Sequence, residues 1–532
     1  WDSPAMTNYN KNSYTYGEVA RNIARLQILF EKTGLKKGDK VALCGPNSAE
    51  WGIAFLAVTS YESVAVPLLN DFLPESIMTL TDHSEARFLF VSKDIWEKMD
   101  VARIPLLELA ICLENNGILF SKNPDFVAIH NHIDELFSQK YPDGFGPEHV
   151  DYPTDNLDDL VLINYTSGTT SAPKGVMLTN RNISSNIQYG QSEIPNGPED
   201  TLVSMLPMAH MYGMAFEFLY QLAGGTQVFF LGKVPSPKVL FNALATVKPY
   251  MIITVPLVIE KIFKSSVFPT IHKPIIKVLM KVPGLAAVLH AQIRKKLLHA
   301  FGGNLRTLII GGAAINQEVE DLMKAIKLPY TVGYGMTECA PILAYEDVSK
   351  FVKKSCGKPV HRMSLRVASP DPETGIGELQ ARGDNVMMGY YKNPEATAAA
   401  FTKDGWLRTG DLGYIDKKNN VFIKGRSKNL IVGANGQNIY PEEIEDKLNN
   451  QPYVIESVVV ERDKKLVALV FPDYDRVSQE SLDSTGLSSL MEENRLRLNM
   501  LLPVFSRIAK IELQDEAFEK TPKRSIKRFL YK

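Results

Sequence analysis

Tyr165-Thr-Ser-Gly-Thr-Thr-Ser-Ala-Pro-Lys-Gly175 is the stretch on which the fold turns. It follows the apolar run Leu160–Ile163, which reads as a buried strand. Gly168 and Gly175 let the backbone aim its N–H groups at an anion. Thr166, Ser167, Thr169, Thr170 and Ser171 add hydroxyl donors, and Lys174 adds a charge on a long stem. A strand followed by such a loop suits a polyphosphate. It is not a Walker A loop, which needs Gly-Lys followed by Ser or Thr, because Pro173 precedes Lys174 and Gly175 follows it. Taken alone, the stretch also fits a polar surface turn.

Further stretches narrow the reading. Downstream lie Gly333-Tyr-Gly-Met-Thr-Glu338, Gly377-Glu-Leu-Gln-Ala-Arg-Gly383, Trp406-Leu-Arg-Thr-Gly-Asp411, Lys424-Gly-Arg-Ser-Lys-Asn429 and Asn438-Ile-Tyr-Pro-Glu-Glu-Ile-Glu445. In this order and spacing the chain resembles the adenylate-forming superfamily of acyl-CoA synthetases, adenylation domains and luciferases, over nearly its whole length. Leu206-Pro-Met-Ala-His-Met-Tyr-Gly213 and the closing Phe518-Glu-Lys-Thr-Pro522 are similar to bacterial long-chain fatty acid–CoA ligases. The resemblance implies an α/β fold: a large N-terminal domain of packed α/β subdomains, residues 1–425, and a small mobile α+β lid, residues 426–532. It implies an ATP- and Mg²⁺-dependent ligase that converts a medium- to long-chain fatty acid to acyl-CoA through an acyl-adenylate, with CoA as co-substrate.

The bulk properties agree. A chain of 532 residues is long enough for at least two domains. Lys plus Arg number 59 and Asp plus Glu 60, so no global field attracts nucleic acid or acidic membrane. Cys44, Cys112, Cys339 and Cys356 are scattered, which fits a reducing, cytoplasmic setting without a disulfide framework or zinc knuckle. Cys339 adjoins Glu338, but nothing nearby in sequence would lower its pKa, so packing is the favoured role. No apolar run approaches the length of a membrane span and no signal peptide is evident; a chain beginning at Trp1 leaves a targeting segment open.

Helical spacing over Tyr16–Thr33 and Glu50–Tyr61 alternates with β-rich runs at Lys40–Cys44, Val64–Leu68, Gln227–Leu231, Met251–Val255 and Thr307–Ile310. That alternation predicts largely parallel sheets. Beyond Gly425, Pro441 stands at a first helical position ahead of Glu442 and Glu443, with a helix to about Leu448. Two strands, Glu456–Glu461 and Leu466–Phe471, and a helix over Glu493–Leu501 complete a small α+β unit. The basic, apolar segment Ile271–His299 reads as a pair of surface helices with a buried stripe and solvated lysines. The competing reading is a segment that rests on a membrane surface, giving peripheral membrane contact.

Activating an acid requires a carboxylate to attack the α-phosphorus of ATP, so charge repulsion is the main obstacle. The resemblance assigns Thr166, Ser167, Gly168, Thr169, Thr170 and Lys174 to the β- and γ-phosphates, with Ser171 where the family usually has glycine. Thr337 is assigned to the α-phosphate and Glu338 to Mg²⁺; a hard cation suits one carboxylate plus phosphate oxygens. Asp411 would accept hydrogen bonds from the ribose diol and Arg426 would contact the ribose. Gly312, Ala313 and Ala314 would border adenine and the acyl pocket, Tyr334 would stack on adenine, and Gly333 and Gly335 flank it. His210 would stand beside the acyl carboxylate as a gate. Its neighbours Met211 to Phe216 favour an uncharged flexible tail over an amino acid. Gly436 would let the lid backbone approach pantetheine.

The tail departs from the family pattern. Ser525 falls where the family carries its adenylation lysine, with Lys523 two residues before it and Lys527 two after; Lys523 is the favoured substitute. Two alternatives stay open: transfer of the acyl group to a carrier-protein phosphopantetheine arm, and a nucleotide-binding protein that has lost adenylation. Whether the chain forms a homodimer is also open.

Overall fold

The computed structural model describes residues 1–166, 173–232, 237–433, 437–520 and 526–531. Two largely parallel sheets dominate the N-terminal part. The first runs in the order Gly389–Tyr390, Lys174–Thr179, Leu160–Thr166, Val64–Leu68, Lys40–Cys44, Ala86–Val91, Leu109–Cys112, Ile118–Ser121. Its five middle strands, from Leu160–Thr166 to Leu109–Cys112, are parallel. Lys174–Thr179 then folds back antiparallel on Leu160–Thr166, with Thr166 opposite Lys174. The opening motif therefore bridges two antiparallel strands; it does not lead from a strand into a helix.

The second sheet has the order Tyr330–Val332, Thr307–Ile310, Met251–Thr254, Thr201–Ser204, Gln227–Phe230, Pro4–Asn8, Ser13–Thr15. All neighbours but the last pair are parallel. One core joins the sheets: Leu43 and Phe88 of the first pack in the same cluster as Val228 and Ile253 of the second. Helix Ala49–Ser60 lies in that cluster, with Trp51 stacked on Phe55 at 5.5 Å. Each such aromatic or aliphatic side chain, when fully buried, contributes about 1.5–3 kcal/mol. Helix Tyr16–Lys32 starts with a capping box between Thr15 and Glu18 and buries Ile23, Ile28, Leu29 and Phe30.

An antiparallel sheet follows, ordered Met363–Ala368, Gly377–Gly383, Leu407–Ile415, Val421–Arg426. Its last pairing sets Asp411 directly opposite Arg426. Beyond it, strands Val454–Arg462, Lys465–Pro472 and Lys510–Leu513 form a separate sheet. Helices Pro441–Leu448 and Ser484–Met500 cover it, and Leu448, Ala468, Leu487 and Leu498 make a core of their own. Pro441 is at the first helical turn with Glu442 and Glu443, as expected.

Two expectations need correction. The late helix begins at Ser484, not near Glu493. Ser484-Thr-Gly-Leu-Ser-Ser489 has loop-like composition, but Asp483 caps Gly486 N–H at 2.7 Å, and buried Leu487 and Met491 override weak propensity. The segment Ile271–His299 does hold two helices, Pro274–Leu279 and Pro283–Ala300. The inward stripe is only part of the apolar surface: Leu297 is buried and Ile276, Met280, Ile293 and Leu298 pack half-buried against the core of the second sheet, while Ile275, Val278, Leu285 and Val288 are exposed. No described helix is long and apolar enough to cross a membrane.

Candidate active site

The C-terminal ends of parallel strands converge on one crevice, the usual ligand position in open α/β sheets. Leu160–Thr166 delivers Thr166. Thr201–Ser204 leads to Met205 and the loop that carries His210. Met251–Thr254 leads to Val255, Thr307–Ile310 to Gly311-Gly-Ala-Ala314, and Tyr330–Val332 to Gly333-Tyr-Gly335. These residues, with Lys174, Thr337, Glu338, Asp411 and Arg426, line a single cavity of about 1570 Å³. Ser167, Gly168, Thr169, Thr170, Ser171, Gly436, Lys523 and Ser525 lie outside the described residues.

The polar groups of the cavity are tightly organised. The Tyr390 hydroxyl donates to Glu338 Oε1 at 2.9 Å, and Lys174 Nζ lies 5.0 Å from the Tyr390 ring centroid. One tyrosine therefore links the lysine of the opening motif to the carboxylate of Gly333–Glu338. Thr337 is buried beside it in the turn Thr337–Cys339. Gly335 has no room for a side chain, because a Cβ there would meet the Pro341 carbonyl oxygen at 2.2 Å. The Tyr334 hydroxyl donates to Asp411 Oδ2 at 2.6 Å, and Arg426 Nε sits 2.8 Å from Oδ1. Burial raises the pKa of Asp411, while Arg426 and the Tyr334 hydroxyl pull it back. Cys339 is fully buried and burial pushes its thiol up, which suits packing and not a nucleophile.

The same lining includes the apolar side chains Ile194, Met205, Phe216, Ile253, Val255, Leu257, Val258 and Ile309. His210 stands in the same lining, its Nδ1 accepting from Tyr212 N–H at 3.2 Å. Three side chains absent from the expected set hold its loop. Asn47 donates to the Leu206 carbonyl at 2.7 Å and accepts from Met208 N–H at 2.8 Å; Asn164 donates to the Ala209 carbonyl at 2.9 Å. Glu217 Oε2 accepts from Ser204 Oγ, Met205 N–H and Leu206 N–H at 2.9–3.0 Å. Glu217 is wholly buried, and that burial raises its pKa well above the ordinary carboxylate range against those three bonds. An acidic residue inside the apolar run Met214–Phe218 was the available signal, since a buried carboxyl needs partners. Tyr390 offered no such signal.

The C-terminal unit closes over the crevice. Asn316 Nδ2 donates to Asn450 Oδ1 at 2.5 Å and Lys424 pairs with Glu443 at 2.7 Å, while Asn429 donates to Glu442 at 2.6 Å within the C-terminal unit. Asp446 is pushed up to about 6, chiefly by burial and further by Glu260, with the Gln317 N–H opposing. Ile526, Arg528 and Phe529 also line the cavity. Arg528 is committed to a buried pair with Glu445 at 2.7 Å, and Lys527 pairs with Glu519.

Residues 2–391 match the family described as AMP-binding enzyme, and residues 428–531 match its C-terminal domain. The chain belongs to the AMP-binding enzyme family. Curated members similar to it include the long-chain-fatty-acid–CoA ligase FadD15 of Mycobacterium bovis, 28% identical over 84% of this chain and 75% of that protein. A 4-coumarate–CoA ligase of Vanilla planifolia is 29% identical over 84% of this chain and 76% of its own length. Among solved AMP-binding and related structures, ATP-bound MatB from Rhodopseudomonas palustris superposes with a TM-score of 0.77 at 22% identity, over 100% of this chain and 95% of that one. This likeness establishes the α/β fold with a large N-terminal and a smaller C-terminal part. Ligation of a carboxylic acid to CoA through an adenylate is the activity that membership of the AMP-binding enzyme family supports.

Proposed function

We propose that the chain is an AMP-forming acid–CoA ligase acting on a medium- to long-chain fatty acid. The carrying observation is the mixed lining of one cavity: the ordered polar groups Lys174, Tyr390, Glu338 and Asp411 share it with the apolar side chains Ile194, Met205, Phe216, Ile253, Val255, Leu257, Val258 and Ile309. In this reading the acid's carboxylate, held near His210, attacks the α-phosphorus of ATP and pyrophosphate leaves. The CoA sulfur then attacks the acyl carbonyl and AMP leaves.

Thr166 and Lys174 bind the outer phosphates, with the loop between them, and Thr337 donates to the α-phosphate. Asp411, held between Tyr334 and Arg426, retains lone pairs for the ribose hydroxyls. Glu338 would hold Mg²⁺. One of its oxygens accepts from Tyr390, the other accepts no hydrogen bond from a described residue, and no described cluster of three acidic, His or Cys side chains holds a metal alone. Phosphate oxygens would therefore complete the shell. When bound, the ion neutralises phosphate charge. Residues 1–425 act as the adenylating domain and 426–532 as a lid whose rotation exchanges tail lysines for the loop around Gly436. Lys523 is the proposed adenylation cation, and the pairing of Lys527 with Glu519 favours it over Lys527.

The deciding experiment is AMP release with CoA across acids from acetate to oleate, with 4-coumarate included. Activity should rise toward about twelve carbons, each buried methylene adding up to ~0.8 kcal/mol before ordering costs. A preference for acetate or for 4-coumarate would overturn the fatty-acid reading. Product formation only with holo carrier protein would move the acceptor from CoA to the carrier arm, and absence of acyl-dependent pyrophosphate exchange would leave a nucleotide binder.

A further inference from the structure

The helical pair Pro274–Leu279 and Pro283–Ala300 carries a surface that the cavity does not explain. Ile275, Val278, Val282, Leu285 and Val288 recur at intervals of three and four residues and are 46–74% exposed. An apolar row at this spacing ordinarily faces a core; here it faces outward. Exposed Lys273, Lys277, Lys281, Arg294, Lys295 and Lys296 flank it. Among the described residues these cations enter no ion pair, and the one pair on the segment is His272 with Glu318 at 3.1 Å. From Lys261 to Gln317 the chain has no Asp or Glu, although its overall formal charge is only −1. Composition alone does not produce such a concentration.

We propose that this face docks on an anionic lipid bilayer, with the apolar row at the acyl boundary and the lysines at headgroup level. The two halves of the pattern select together. Unpaired cations favour an anionic surface, and an exposed aliphatic row favours hydrocarbon over a purely polar polyanion. Long lysine stems can lie along the apolar row while their heads reach phosphate. A second copy of the chain is a poorer occupant, because a twofold contact would set this basic face against itself.

The position of the patch adds continuity. Helix Pro256–Ile262 leads through Phe263–Val267 and Phe268–Ile271 directly into it. Leu257 and Val258 of that helix line the cavity, and Leu257 is itself 42% exposed. A water-insoluble substrate held in the leaflet would then meet the cavity wall at the docking face. Only this last step rests on the fatty-acid reading; docking stands or falls without it.

Flotation of the whole chain with phosphatidylcholine vesicles, with and without phosphatidylglycerol, tests the proposal. The chain should float with the anionic vesicles at least about tenfold more than with the neutral ones, and salt should reduce the difference. Lys277→Glu with Lys281→Glu should lower that binding at least about tenfold, as should Ile275→Ser with Val278→Ser. The control Lys417→Glu with Lys418→Glu, at exposed positions elsewhere, should leave it unchanged. No flotation, or equal flotation of wild type and both patch variants, would overturn the proposal. So would patch variants that change only the oligomeric state, which would make the face a contact between copies.

Discussion

At the scale of single residues, the arrangement turns on who holds the carboxylates. Tyr390 fixes Glu338 and Tyr334 with Arg426 fixes Asp411. Glu338→Ala should lower acyl-dependent pyrophosphate exchange by orders of magnitude, because charge neutralisation in the transition state is lost. Tyr390→Phe should cost about tenfold, since it frees the carboxylate without removing it; near-normal exchange in Glu338→Ala would refute the assignment. Glu217 makes a prediction of a different kind. Its folded pKa is raised above that of the unfolded chain, so between the two values the folded state holds the extra proton and stability falls as pH rises. Glu217→Gln should flatten that decline in urea unfolding followed upward from the ordinary carboxylate range. An unchanged slope would show that the carboxyl is not the titrating group. None of the holders, Tyr390, Asn47, Asn164 or Glu217, belonged to the expected set. A positioning side chain is defined by what it touches across long sequence separations, and no local spacing encodes that.

Among the elements, those with a local cause were legible. Strands Lys40–Cys44, Val64–Leu68 and Thr307–Ile310 and the Pro441 helix start follow from apolar runs and caps that the sequence displays. The first turns of helix Ser484–Met500 carry no local signal, because Asp483 and the tertiary burial of Leu487 hold them, not propensity. Thr166, Gly311–Ala314 and Gly333–Gly335 stood out as loop residues because small and hydroxyl side chains directly follow apolar strand runs, one in the first sheet and two in the second. The turn Ser427–Asn429, between strand Val421–Arg426 and the C-terminal unit, is where a rotation would pivot. Lys428→Pro should restrict its dihedrals and damage one half-reaction while sparing the other. Pyrophosphate exchange and thioester formation from supplied acyl-adenylate, measured separately, check this; equal loss in both would remove the pivot from this turn.

For the whole molecule, the C-terminal unit is docked through a surface that includes a reluctant acid. Burial, and further Glu260 across the contact, raise the Asp446 carboxyl from its ordinary 3.8 to about 6 in the docked, folded chain, so that state binds a proton between those values. The share of that shift due to the contact makes docking weaken as pH rises through the window. Asp446→Asn should remove that weakening and shift the population toward the docked arrangement at neutral pH. Distances between spin labels introduced by Lys417→Cys and Asp475→Cys report this; an unshifted distribution would exclude Asp446 as a determinant. The cavity has walls from both units, with Gly311–Ala314 on one side and Lys428, Glu442 and Ile526 on the other. Whatever fills it is thermodynamically coupled to the posture of the C-terminal unit, and the coupling is reciprocal. If a ligand tightens docking by some factor, any substitution that tightens docking from afar raises affinity for that ligand, up to the same factor. Affinity measured on the intact chain is thus also a gauge of how often the two halves meet.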